Sequence, residues 1–162
     1  HCERVADRQL HGGACGRRQP ERARFFFNVC VEHYVGIEYD RQAIVAAKRN
    51  AVSHRRTNGE FVAGFAEEWL PRLLQRFPPG ATTVLLDPPR KGCAPEMLRL
   101  LRTVGPSQII YISCHPATMA RDLNALCEEG VFELVQLIPL DMFPQTQHIE
   151  LVADVRHKIR SA

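Results

Sequence analysis

A chain of 162 residues with 45% hydrophobic and 24% charged residues has the size and balance of one globular domain able to bury its own core. These values exclude a disordered or fibrous chain, no apolar run approaches the roughly 18 residues of a membrane span, and charges stand where a signal peptide needs an apolar stretch, so a cytoplasmic setting is expected. The net charge of +3 permits an RNA partner without demanding one.

Residues 1 to 33 form no regular element by pattern, because Arg4, Arg8, Arg17, Arg18, Arg22 and Arg24 break every apolar stripe. Gly12, Gly13 and Gly16 would need a strand before them to form a phosphate or cofactor loop, and none precedes them. The expectation is an atypical Arg-rich leader, disordered or mistranslated, followed by a domain over residues 34 to 162. Val35 to Glu38 reads as a strand, Asp40 as the cap of a helix with Ala43, Ile44, Ala47 and Ala51 at helical spacing, and Phe61 to Ala63 as the next strand. Thr82 to Asp87 is a further strand, running into Pro88 and Pro89 and then a helix with Met97, Leu98, Leu101 and Val104 on one face, stopped by Gly105 and Pro106. Ile109 to Ile112 reads as a fully buried strand. Met119, Leu123, Leu126 and Cys127 mark a helix closed by Gly130. Two closing strands, Phe132 to Ile138 and Ile149 to Val155, have no helix between them and are expected to pair antiparallel. The class is α/β, a mainly parallel sheet with an antiparallel terminal hairpin.

In such sheets ligands gather at the carboxyl ends of the parallel strands. Glu38 is placed to accept hydrogen bonds from two ribose hydroxyls, although a solvated surface glutamate reads the same way. Cys114 lies between a strand and a helix that Pro116 can start, and the positive end of that helix favours the thiolate, the nucleophilic form. Taken alone, it reads more readily as a packed free thiol, since free cysteines are among the commonest buried residues. His115 has no partner at metal-ligand spacing and can cap the same helix. The six cysteines show no CxxC pair, which argues for reduced thiols and no metal site.

Three stretches carry more. Leu86-Asp87-Pro88-Pro89-Arg90-Lys91-Gly92, then Tyr111-Ile112-Ser113-Cys114-His115-Pro116-Ala117-Thr118-Met119-Ala120-Arg121-Asp122, then Asp141-Met142-Phe143-Pro144-Gln145-Thr146-Gln147-His148-Ile149-Glu150 resemble the RNA 5-methyluridine (uracil-C5) methyltransferase family. The resemblance runs from about Tyr34 to Val155 and implies the C-terminal catalytic domain of such an enzyme, with a Rossmann-like class I methyltransferase fold. It implies S-adenosyl-L-methionine as cofactor, a uridine of tRNA or rRNA as substrate, Cys114 as nucleophile and Glu150 as general base. Glu38 and Asp87 are implied in cofactor binding. Asp87, Pro88, Arg90 and His148 line the substrate pocket, and Arg121 and Asp122 brace the Cys114 loop.

The chain departs from the family pattern in two places. The family opens this domain with a strand and a Gly-x-Gly loop for the methionine part of the cofactor, so the first βα unit is expected to be missing or garbled here. Phe65 stands where the family offers a polar residue to the adenine, and can stack on it instead. Two other readings compete: an amino-methyltransferase acting on adenine or guanine through the Asp87-Pro88-Pro89 loop, and an inactive remnant without its cofactor loop.

Overall fold

The computed structural model describes residues 31–142, 144–146 and 149–158. The leader expected over residues 1 to 33, with the garbled first βα unit, therefore lies almost wholly outside the described residues. The described residues fall into two compact units, 31–76 and 77–158.

The first unit begins with β1 (Tyr34–Glu38), α1 (Arg41–Ser53) and β2 (Gly59–Ala63), and β1 and β2 pair in parallel with Tyr34 opposite Gly59 and Glu38 opposite Ala63. Asp40 caps α1 as its sequence position predicts, its Oδ1 accepting from the Gln42 N–H at 2.8 Å. Ile44, Ala47 and Ala51 are the buried stripe of α1. A helix without a sequence-based expectation, α2 (Ala66–Arg76), follows β2. Pro71 inside it hides the pattern, yet Leu70 and Leu73 are buried and Glu67 and Glu68 sit in its first turn, where the helix dipole favours them.

The second unit contains β3 (Thr83–Leu86), α3 (Pro95–Val104), β4 (Gln108–Ser113), α4 (Pro116–Cys127), β5 (Phe132–Leu140) and β6 (Glu150–His157). The strand order is β3-β4-β6-β5. β3 and β4 are parallel, while β6 lies between β4 and β5 and runs antiparallel to both. The two closing strands are thus the antiparallel neighbours that the absence of a helix between them predicts. α3 stops at Gly105, whose left-handed backbone (φ 65°, ψ 56°) lets its N–H reach Leu101 O. The core is built from Leu101 of α3, Ile109 and Tyr111 of β4, Leu126 of α4, Phe132 of β5 and Val155 of β6, each essentially without solvent contact. Each such aliphatic or aromatic side chain contributes about 1.5–3 kcal/mol on burial. β4 differs from the strand buried on both faces that its composition suggests. Ile109, Tyr111 and Ser113 are buried while Ile110 and Ile112 are half-buried, because one face of the strand is covered more deeply than the other.

Candidate active site

Strand register decides which side chains meet. The β3–β4 ladder ends at Leu86 opposite Tyr111, and the β4–β6 ladder ends at Ser113 opposite Leu151. Asp87, Cys114 and Glu150 therefore stand at one edge of the same sheet, each at or just beyond the last rung of its strand. Because β6 is antiparallel to β4, its first residue, Glu150, comes level with the residue that follows Ser113, which is Cys114. Cys114 and Glu150 are half-buried and Asp87 is exposed. Pro88 and Pro89 carry no N–H, which ends β3 at this edge.

The turn at Cys114 is clamped from both sides. Ser113, 3% exposed, accepts from the His115 N–H with its Oγ at 3.0 Å, closing a loop around Cys114. Pro116 opens α4 directly after, and His115 Nδ1 accepts from the Thr118 N–H at 3.3 Å, the capping role expected of it. No function was assigned to Ser113 from sequence; its signal was a small hydroxyl at the inward position of a buried strand.

The loop after β3 is tied to α4. Asp122 is fully buried and accepts four hydrogen bonds: from the Tyr111 hydroxyl at 2.6 Å, the Cys93 N–H at 2.7 Å, and Arg121 Nε and Nη2 at 2.9 and 2.7 Å. Arg121 Nη2 also donates to Lys91 O at 2.9 Å, and Thr118 Oγ1 to Arg90 O at 3.0 Å. The contacts of Arg121 and Asp122 thus run to the Lys91–Cys93 segment and to Tyr111 of β4, the strand that leads into the Cys114 turn. Burial, and then the hydrogen bond to Asp122, push the Tyr111 phenol far above its ordinary value, so it remains a donor.

Gly92 passes over this pair with φ +81°, and a Cβ there would run into Asp122 Oδ2 and Arg121 Nη2. Gly92→Ala is expected to cost about 1–3 kcal/mol from strain and contact together, lowering the melting temperature by about 2–4 °C per kcal/mol. An unchanged midpoint in a calorimetric scan would show that the loop is not held there.

Within the 31–76 unit, Glu38 ends β1, accepting from the Asp40 N–H with its Oε1 at 3.0 Å, while its backbone oxygen accepts from the Gly64 N–H at 3.0 Å. Next to it in sequence, Tyr39 stacks on Phe65 with ring centroids 6.1 Å apart and planes within 4°. Both rings are largely solvent-facing, 72% and 60% exposed, which is costly apolar surface for a chain to leave uncovered. His148 lies outside the described residues.

Residues 74–155 match the sequence model of the tRNA (uracil-5-)-methyltransferase family. An uncharacterised RNA methyltransferase of Thermosynechococcus vestitus is 43% identical over 123 residues, covering 76% of this chain and 26% of the relative. One of Staphylococcus epidermidis is 45% identical over 123 residues, covering 75% and 26%. The chain spans about a quarter of the length of these curated relatives. Among solved structures, the Pyrococcus abyssi tRNA (uracil-54, C5)-methyltransferase in complex with S-adenosyl-L-homocysteine superposes with a TM-score of 0.62 at 31% identity, over 76% of this chain and 28% of that one. TrmN from Thermus thermophilus, at 16% identity and a TM-score of 0.53 over 76% and 36%, shares the Rossmann-like fold alone. Since the family match runs through β3, the clamped turn at Cys114 and the ladder that ends at Glu150, the chain belongs to the tRNA (uracil-5-)-methyltransferase family.

Proposed function

We propose that this chain is catalytic machinery of an RNA (uracil-C5) methyltransferase acting on a uridine of tRNA or rRNA, in a cytoplasmic setting. The observation that carries the reading is the register that brings a half-buried cysteine level with a half-buried glutamate at the edge of one sheet. Carbon 5 of uracil is a poor nucleophile until a thiolate activates the ring. The Cys114 thiolate adds to carbon 6, forming the S–C6 bond and leaving the electron pair as an enolate across O4, C4 and C5. S-adenosylmethionine, when bound, supplies the electrophilic methyl group that carbon 5 receives. The Glu150 carboxylate then takes the proton from carbon 5, the C5–C6 double bond re-forms, and the C6–S bond breaks to return the thiolate. Asp87, with Pro88, Arg90 and His148, lines the pocket for the base. The hydrogen bonds from Thr118 and Arg121 to Arg90 and Lys91 fix the loop that carries Asp87, Pro88 and Arg90.

The residues of the 31–76 unit fit the nucleoside half of the cofactor. Glu38 Oε1 is engaged by the Asp40 N–H, leaving Oε2 to accept from ribose, and the exposed Phe65 ring offers an apolar face to adenine. The test is RNA carrying tritium at carbon 5 of uridine. One tritium is expected in water for every methyl group gained. Methylation without tritium release would establish an amino-methyltransferase in its place. Absence of both methylation and calorimetric cofactor binding would establish an inactive remnant.

A further inference from the structure

Between Asp40 and Glu60 the sequence carries Arg41, Lys48, Arg49, Arg55 and Arg56 and no acidic residue. All five are exposed, and among the described residues none takes part in an ion pair. The 77–158 unit is built the other way. There Arg99 pairs with Glu96 at 2.8 Å, Arg102 with Glu128 and Glu129 at 3.0 and 2.9 Å, Arg121 with Asp122 at 2.7 Å and Arg156 with Asp154 at 2.9 Å. Apart from Arg90 and Lys91 in the loop after β3, the Lys and Arg side chains described in that unit are paired locally, whereas on α1 unpaired positive charge accumulates.

Helical periodicity gathers this charge. Arg41, Val45, Lys48, Arg49 and Val52 fall within an arc of about 100° that excludes the buried Ile44, Ala47 and Ala51. Arg41 and Arg49 are separated by about 12 Å along the axis, and Arg55 and Arg56 follow just past the end of the helix. Val45 and Val52 lie among the cations at 49% and 78% exposure, and Arg41, Gln42, Val45, Ala46 and Arg49 line a shallow groove along the face. Uncompensated like charges repel one another and cost the fold stability. A run of phosphates offsets that cost, because each phosphate neutralised releases a condensed counterion.

We propose that the outer face of α1, together with Arg55 and Arg56 just past its end, is a docking surface for the phosphate backbone of the RNA substrate. The proposal rests on the uracil-C5 reading for the identity of the polyanion as RNA. It assigns α1 no part in base selection, since phosphate contacts carry no sequence information.

The experiment follows binding of a fluorescein-labelled RNA stem-loop of about 30 nucleotides by anisotropy, from 50 to 200 mM salt. In the triple variant Arg41→Gln, Lys48→Gln, Arg49→Gln, the slope of log K against log salt should shrink by about two to three, at about 0.7–0.9 for each phosphate no longer neutralised. Affinity near 0.1 M salt should fall about ten- to a hundred-fold. Arg55→Gln with Arg56→Gln should remove about one to two from the slope, independently of the helix face. Exchange of the two cations, Lys48→Arg with Arg49→Lys, should keep the native slope. Arg99→Gln with Arg156→Gln should also leave it unchanged, since those charges are already paired. An unchanged slope in the triple variant, or an equal fall in the Arg99/Arg156 pair, would overturn the proposal. So would loss of binding to phosphatidylserine vesicles with RNA binding intact, which would identify a membrane surface. Circular dichroism melting of each variant guards against a folding defect. Anisotropy needs neither cofactor nor Cys114. An RNA bound through α1 that gains no methyl group therefore counts against the reaction alone, and a methylated RNA with an unaltered salt slope counts against the docking surface alone.

Discussion

Replacing Cys114 with alanine is expected to abolish methyl transfer to uridine, by about four to six orders of magnitude, the scale seen when a covalent nucleophile is removed. The loss is that large because no later step can substitute for ring activation: without the S–C6 bond, carbon 5 never acquires the electron density to take a methyl group. The same variant should form no RNA adduct that survives denaturing electrophoresis. Its fold should be intact, since Cys114 is only half-buried and the turn is held by Ser113 and His115 on either side. Full turnover by Cys114→Ala on a uridine substrate would end the proposed mechanism.

Glu150→Gln should fail in the opposite manner. The thiolate and the methyl donor remain, so addition and methylation proceed, but the amide cannot take the carbon-5 proton and the thiol cannot leave. A methylated, covalent enzyme–RNA species should therefore accumulate toward one equivalent, resolved as a slower band on a denaturing gel, with tritium retained at carbon 5. General acid–base steps typically contribute about 10²–10⁴-fold, so slow release over hours is compatible with the assignment. Rapid turnover with prompt tritium release would move the base to another residue. Both measurements are best made in the chain joined to the N-terminal part of a relative, where the glycine loop of the family is present.

Local signals carried much of the fold. Asp40 announced α1, Gly105 and Pro106 closed α3, and Pro116 opened α4, because capping and chain-breaking act within a few residues. α2 escaped because Pro71 interrupts the pattern that Leu70 and Leu73 would otherwise reveal. Asp87 and Cys114 were legible together, as residues following parallel strands at their carboxyl ends, but not the meeting of Cys114 with Glu150, which depends on a pairing between β4 and β6 some 40 residues apart that no spacing encodes. Asp122 shows the same limit. A carboxylate on the Met119–Leu123–Leu126 stripe should have signalled a buried, fully satisfied charge, yet its partner Cys93 lies 29 residues upstream and is visible only in three dimensions.

The position of β6 bears on how the protein is made. It follows β5 in the chain, yet it is inserted between β5 and β4, which share no hydrogen bonds of their own. While a ribosome has delivered residues only through Leu140, β4 and β5 each present an unpaired edge. The sheet can close only when the segment through His157 emerges and threads into the gap. Such late, non-local closure slows folding and leaves strand edges open to wrong partners. It also delays the meeting of the two side chains at the sheet edge, because Glu150 enters on that same strand and comes level with Cys114 only once β6 has paired with β4.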